Sequence, residues 1–406
     1  MTTTKVKNVL TILILCCLAS FYPPNVQAQQ QTGIPLVFFG DTLQLPSCLP
    51  PTIVVNTPVS EVGIRSFYKN IHEQDFTAVI NVLKLYKEQK QLDDWLFYQL
   101  IRHTAQLFSA KESNYDQYTL YKWFLLRASG YNAQLAFADK QLLFYVQSDD
   151  NIYDIPLFEK EGKQYVCLNI HDFGPINFSA IPLLKVEVDG AGLEGKSFSY
   201  KVTQLPNFNT STYEVKKLVF NYKDKEYKYN IKVDPYMQKI FNNYPPVDFE
   251  AYFNIPLSKA SYSSLIPALK KKLKGMKQQK GVEYLMQFTR YAFMYEDDVS
   301  HFGKEKRLSP EQTLLNDYSD CDDRVALFYY LVKELYNLPM IVLLYPSHVT
   351  LAIELKNPVG VPVLYHDRKF SVCEPTPQRI NLPLGSLMPE LSLAHFDVAY
   401  EYVPQR

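Results

Sequence analysis

Cysteine is scarce in this chain, with six in 406 residues. Cys16 and Cys17 fall in the first apolar run, which leaves Cys48, Cys167, Cys321 and Cys373 in the remainder. Four cysteines over such a length do not form a disulfide framework, although they leave room for one bridge among Cys48, Cys167 and Cys373. No CxxC pair exists, which argues against a zinc site. An excess of either charge is also lacking: 42 Lys and Arg stand against 42 Asp and Glu, which argues against nucleic acid as a partner. Beyond the first residues there is no apolar run long enough to cross a membrane.

The first residues read as a processing segment. Lys5 and Lys7 precede an apolar run from Val9 to Phe21, Pro23-Pro24 breaks it, and Val26-Gln27-Ala28 ends in a small residue. This is the pattern of a secretory signal peptide over residues 1–28, so the protein is expected to be exported, to a periplasm or outside the cell. Ile14-Leu15 before Cys16 are poor candidates for a lipoprotein leader, which needs small residues there. The mature chain of about 378 residues has room for two or three domains. Its 31 Tyr and 25 Phe suit a well-packed, β-rich exported protein, or one with sugar or peptide contacts.

An α+β fold is expected. Residues 29–60 are extended and punctuated by proline. Apolar spacings of three and four predict helices over 76–86, 93–108 and 115–130. Strands are predicted over 134–137, 142–147, 155–158 and 164–168, which closes a unit at 61–175. Residues 176–250 alternate polar and apolar, with Lys223-Asp224-Lys225 as a turn; this predicts an all-β, sandwich-like module. The C-terminal domain, 251–406, begins with helices over 256–274 and 282–293. It then runs from a capping box at Ser309-Pro310-Glu311-Gln312 into a further helix and four β-type runs.

Asp317 to Phe328 organises that C-terminal part. Ser319 or Asp320 can cap a helix whose apolar face is Val325, Phe328, Leu331, Val332 and Leu335, which places Cys321 in the first turn. Backbone N–H groups and the macrodipole there favour a thiolate, while Asp320, Asp322 and Asp323 oppose it, so a base must come from elsewhere. The next histidine is His348, at the mouth of a strand; 26 residues on, Glu374 closes a later strand before Pro375. A thiol needs a base to ionise it, and the base needs a third group to hold its orientation. Cys321, His348 and Glu374 supply these in order. Asp367 beside His366 is the rival third member, while His301, His366 and His395 are expected to be exposed and Cys373 to be a buried apolar residue. The Cys321 N–H is one candidate oxyanion donor, and Gln287 a second.

The two halves look related. At an offset of 207, Asn114-Tyr115-Asp116-Gln117 lies on Cys321-Asp322-Asp323-Arg324, residues 142–147 lie on 349–354, and Gln141 lies on His348. Tyr165-Val166-Cys167 falls near Ser371-Val372-Cys373, one residue out of register. The first copy would then be a scaffold lacking both nucleophile and base.

These pieces resemble the transglutaminase-like superfamily, the papain-like thiol group that includes bacterial transglutaminase-like cysteine proteinases. The resemblance is carried by Asp320-Cys321-Asp322-Asp323-Arg324, Asn337-Leu338-Pro339, His348-Val349-Thr350-Leu351-Ala352-Ile353 and Cys373-Glu374-Pro375-Thr376, within residues 280–380. Tyr295-Glu296-Asp297-Asp298, Phe302-Gly303 and Pro310 to Leu314 resemble the lead-in of the proteinase-like members. The family pattern is G-D-C-x-D/E, L-G-I-P-A, H-x-x-x-x-V and D-P-T. Ser319 and Asn337 depart from its glycines, and Glu374 departs from its aspartate.

The resemblance implies a helix packed on an antiparallel sheet and cysteine-dependent acyl transfer, hydrolytic or transamidating, on a protein or peptide substrate. It also implies that acidic residues flanking the cysteine can hold calcium. Asp317, Asp320, Asp322 and Asp323 are oxygen donors of the kind a hard cation takes, although helix capping and pairing with Arg324 account for the same residues. No other cofactor is expected. The competing expectation is a catalytically inactive binding or scaffold protein of the cell envelope.

Overall fold

A computed structural model describes residues 33–174, 176–188, 195–207, 213–296 and 306–404. The expected signal peptide lies outside them, as do His301, Asp297-Asp298 and Phe302-Gly303. The fold is α+β, with antiparallel sheets and helices sharing one continuous apolar core. No helix among the described residues is long and apolar enough to cross a membrane.

The chain opens with a hairpin, β1 (Ile34–Phe38) and β2 (Asp41–Leu45), followed by helices α1 (Glu61–His72), α2 (Thr77–Lys90), α3 (Asp94–Phe108) and α4 (Tyr115–Ala128). The extended stretch before α1 is not in a sheet. Side chains of α4 hold it: Ile53 N–H donates to Tyr121 Oη at 2.8 Å, Val55 N–H to Gln117 Oε1 and Val59 N–H to Asp116 Oδ2.

Strands β3 (Ala133–Ala138), β4 (Gln141–Gln147), β5 (Leu157–Lys160), β6 (Lys163–Cys167) and β7 (Leu183–Val186) form the first sheet, in the order β5-β6-β4-β3-β7. Next comes the hairpin of β8 (Glu214–Tyr222) and β9 (Lys225–Val233), then helices α5 (Tyr236–Ile240), α6 (Phe249–Phe253), α7 (Lys259–Leu273) and α8 (Gln278–Tyr291). A short strand β10 (Met294–Tyr295) pairs in parallel with β11 (Tyr318–Ser319), with α9 (Pro310–Leu315) between them. Helix α10 (Cys321–Tyr336) precedes the second sheet. That sheet comprises β12 (Met340–Tyr345), β13 (His348–Ile353), β14 (Val363–Tyr365), β15 (Arg368–Cys373) and β16 (Asp397–Tyr402).

The second sheet runs β14-β15-β13-β12-β16, which is the strand order of the first sheet element for element. Each sheet follows one helix, α4 or α10. The two-residue connections after β3 and β12 bring Ala138 opposite Gln141 and Tyr345 opposite His348. The offset of 207 therefore holds through both central hairpins. It shifts elsewhere. Asn114 caps α4 through the Gln117 N–H, and Asp320 caps α10 through the Asp323 N–H, so the caps lie 206 apart and Tyr115, not Asn114, occupies the Cys321 position. Both helices stop at a left-handed residue, Gly130 (φ 100°) and Asn337 (φ 49°), which are again 207 apart. Helix α10 thus holds one more residue than α4 between cap and stop. Tyr145 pairs with Cys167 as Ala352 pairs with Val372, so the fourth strands, β6 and β15, lie 205 apart and Asn169 stands where Glu374 does.

The sandwich expected at 176–250 is not formed among the described residues. Strand β7 joins the first sheet beside β3, and β8–β9 is a lone hairpin. Its alternation is real: Leu218, Phe220, Ile231 and Val233 are buried. Helices cover that face instead of a second sheet, with Phe220 edge-on to Tyr284 and Phe288 of α8. Alternation marks a half-buried strand and carries no information about what buries it.

Candidate active site

Cys321 is the first residue of α10, half-buried, with its thiol against the Val349 N–H at the mouth of β13. Local sequence fixes this placement. Asp320 ends the extended segment and accepts the Asp323 N–H at 3.3 Å, which starts the helix one residue later. Burial pushes the thiol well above the ordinary cysteine range, and the Asp322 and Asp320 carboxylates push it further in the same direction. The Val349 N–H works the other way. The helix N-terminus therefore does not leave a preformed thiolate, as its dipole alone would suggest.

His348 opens β13, opposite Tyr345, and is 9% exposed. Its Nε2 lies 2.8 Å from Glu374 Oε2, and Glu374 is 1% exposed. This leaves Nδ1 as the ring nitrogen open to a second partner. Glu374 is fixed at both ends. Its Oε1 accepts the Thr376 N–H at 3.0 Å, and its backbone carbonyl accepts from Nε (3.0 Å) and Nη2 of Arg290. One strand further in, Thr350 Oγ1 donates to the Cys373 carbonyl at 2.9 Å and locks β13 against β15 just before Glu374.

The other residues singled out by the sequence are placed elsewhere. Asp367 and His366 form the left-handed turn between β14 and β15, at the end of β15 opposite Glu374. His395 is exposed near Asp397. Gln287 is buried and donates Nε2–H to Asn381 Oδ1 at 3.0 Å; the pair lines a surface groove of about 750 Å³ between the β8–β9 turn and α8. Cys373 is fully buried, and burial pushes its thiol up. The expected room for a disulfide is not used, since Cys48, Cys167, Cys321 and Cys373 are all free.

The acidic cluster divides. Asp320 caps α10, and Asp322 faces Arg307 Nε at 3.4 Å. Asp323 Oδ1 accepts the Leu308 N–H at 2.7 Å and the Tyr252 hydroxyl, and Asp317 reaches Lys216 on β8. Only the ligand atoms of Asp320, Cys321 and Asp322 gather, within 4.8 Å of one another. These three could hold a cation, but one thiol and two carboxylates are not the six to eight oxygens calcium takes.

Arg324 does not chiefly serve the aspartates. It is completely buried and donates to five backbone carbonyls: Thr289 (3.0 Å), Arg290 (2.8 Å), Phe293, Met294 and Ser319. The sequence reading missed both this role and that of Arg290. The available signal was an arginine at a position the helical period buries: Arg324 shares its face with Leu327 and Phe328, and Arg290 with Met286 and Gln287.

No protein-family model, curated protein or solved structure matches the chain.

The corresponding positions of the first unit hold Tyr115, Gln141 and Asn169. Tyr115 donates to Asp172 Oδ2 at 2.8 Å, and Asn169 Nδ2 donates to the Tyr115 hydroxyl at 3.0 Å and to the Leu142 carbonyl. Asn169 Oδ1 accepts the Phe144 N–H. Phenol and amide close on each other there, with the Cys167 thiol donating to Asn169 Oδ1 at 3.4 Å and His171 Nε2 3.4 Å from Asp172, while the three corresponding positions themselves hold neither thiol nor imidazole.

A substitution tests what sets the thiol. Replacing Asp322 with Asn removes the carboxylate with the larger effect and should lower the pH midpoint of Cys321 alkylation, raising the rate several-fold near pH 8. An unchanged midpoint would mean that Asp322 adds nothing to what burial and Asp320 set.

Proposed function

We propose that the chain is an exported cysteine-dependent acyl-transfer enzyme, a peptidase, amidase or transamidase, with Cys321 as nucleophile, His348 as general base and acid, and Glu374 holding the imidazole. One observation carries the reading: a buried 2.8 Å contact between His348 Nε2 and Glu374, beside the helix start whose thiol touches the Val349 N–H. The transglutaminase-like resemblance supports it, as does the order of one helix followed by an antiparallel sheet, with the first unit as a degenerate copy.

On this reading the chemistry runs as an acyl transfer through a thioester. The thiol is held neutral at rest, so His348 takes its proton through Nδ1 as sulfur attacks a carboxamide carbonyl. Glu374 accepts at Nε2 and stabilises the imidazolium that forms. The oxyanion sits near the start of α10, where the Cys321 N–H is available. The imidazolium returns the proton to the leaving amine, giving a thioester and a free amine. Water or a second amine then attacks the thioester, with His348 taking its proton, and releases the thiol.

A second reading, an inactive binding or scaffold protein, draws on the raised pKa of Cys321 and on a first unit without Cys, His or carboxylate at the three corresponding positions. The test treats purified full-length protein with a peptidyl vinyl sulfone at neutral pH and locates the adduct by mass spectrometry. Cys321 should be labelled at least ~100-fold faster in the wild type than in His348→Ala, the range of general base catalysis. Labelling no faster than a model thiol, and indifferent to His348, would sink the enzyme and leave the scaffold.

A further inference from the structure

Arg290 and Arg324 connect the helix that bears the thiol to the carboxylate that holds the imidazole. Arg324 lies three residues after Cys321, on the same helix. Its Nη1 holds the Thr289 and Arg290 carbonyls at the end of α8, and its Nη2 holds the Phe293 and Met294 carbonyls that lead into β10. The neighbouring guanidinium, Arg290, points on from there. Its Nε and Nη2 straddle the carbonyl of Glu374, and its Nη1 reaches Asn381 Oδ1 and the Leu382 carbonyl at 3.0 Å. Both side chains are at most 1% exposed.

Helix packing does not require this arrangement. An apolar residue at 290 would bury as well and would need no carbonyl partners. Three features suggest another role. A planar guanidinium offers its donors in a fixed fork, so two bonds to one carbonyl fix direction as well as distance. The carbonyl chosen belongs to the residue whose carboxylate meets His348. The remaining donors tie down the 381–382 segment, so the chain beyond Glu374 is fixed from two sides. Glutamate has one more rotatable bond than aspartate, and a longer carboxylate needs its backbone held more firmly to keep one position.

We propose that Arg290, itself seated by Arg324, is a positioning residue that sets the Glu374–His348 contact relative to the Cys321 thiol. The inference rests on the catalytic reading for its purpose, but the geometry it asserts can be measured without any reaction.

The experiment uses full-length protein with ¹⁵N-labelled histidine. The Nε2–H of His348 should give a downfield, slowly exchanging proton resonance in the wild type, and Glu374→Ala, which removes the acceptor, assigns it by its loss. In Arg290→Met the resonance should vanish or exchange rapidly, and vinyl sulfone labelling of Cys321 should slow ~10-fold, as misplacement of a reacting group does. Arg290→Lys, with one cationic head in place of a fork, should recover part of both. Should Arg290→Met fail to fold by circular dichroism, the exposed Asn381→Ala removes one guanidinium partner and should speed exchange of the same proton with the fold intact. A wild-type resonance and wild-type labelling in Arg290→Lys and Asn381→Ala would overturn the proposal. Loss of the resonance in the Arg290 variants, together with labelling indifferent to His348, would sink the enzyme and leave the positioning role standing.

Discussion

Above about pH 9 the protein is expected to lose stability steeply, and to be largely unfolded by about pH 11. The cause is a set of buried acids that the fold keeps protonated. Burial pushes the Cys167 thiol up to about 12 and the Cys373 thiol higher still. The phenols of Tyr98, Tyr200 and Tyr252, each about 1% exposed, are pushed well above their ordinary range by the same cause. A group whose pKa is raised by folding gives its full stabilisation below its unfolded value and loses it as pH rises toward the folded one. For thiols the loss begins near pH 8.5–9 and for phenols near 10, at about 1.4 kcal/mol per pH unit for each group.

Buried bases oppose this, Lys122 most strongly. Lys122 is 1% exposed, lies over the rings of Tyr115 and Tyr118, and is drawn down to about 7 by burial. It is neutral in the fold above that pH but still charged when unfolded, so its contribution rises from about pH 7 to about 10.5. The buried acids outnumber the bases drawn the other way, so the net result is a fall of a few kcal/mol per pH unit once the phenols titrate, on the order of the single-group slope times the excess of acids. Urea midpoints at pH 7, 9 and 10.5 read this directly. A midpoint at pH 10.5 within a few tenths molar of that at pH 7 would contradict it. Lys122→Met should remove the rise on the neutral side and leave the alkaline fall.

How much of this was legible in the sequence follows from how local each signal is. The start of α10 was legible because its cap, its first-turn acids and its apolar face all lie within twenty residues. The order of Cys321, His348 and Glu374 was legible because each stands at an element boundary, where short-range patterns are strongest. The repeat was visible as apolar rhythm at one offset. Its register was not, because one extra residue in α10 and a two-residue difference before the fourth strand move Tyr115 and Asn169 into positions that a fixed offset of 207 assigns to Asn114 and Cys167. The sandwich failed for a related reason: β8–β9 has the right alternation, but the covering layer comes from α8, some 60 residues away. The acidic cluster was ambiguous because aspartates close in sequence serve capping, ion pairing and backbone contacts at once.

The arginines were the least legible and are where the second large effect is expected. Arg324→Met should cost about 3–5 kcal/mol of stability, the usual result of stripping partners from a buried polar network. The methionine fills much of the same volume, so lost packing accounts for little of this. Five carbonyls, from Ser319, Thr289, Arg290, Phe293 and Met294, are instead left without a donor, and they join β11, α8 and β10 around the thiol helix. Burial draws the guanidinium down to about 10, with Asp323 opposing, so it stays charged at neutral pH and its hydrogen bonds are charge-assisted. Lysine cannot replace it: three donors on one nitrogen cannot reach five carbonyls spread across a fork. Arg324→Lys should therefore recover less than half of the loss. Urea unfolding followed by tyrosine fluorescence measures both variants. A loss below about 1 kcal/mol in Arg324→Met, with unchanged urea dependence, would mean that water or a shifted backbone satisfies these carbonyls. In that case Arg290 could not be seated by Arg324 in the way the hydrogen bonds imply, and the link from thiol helix to carboxylate would have to run through sheet packing alone.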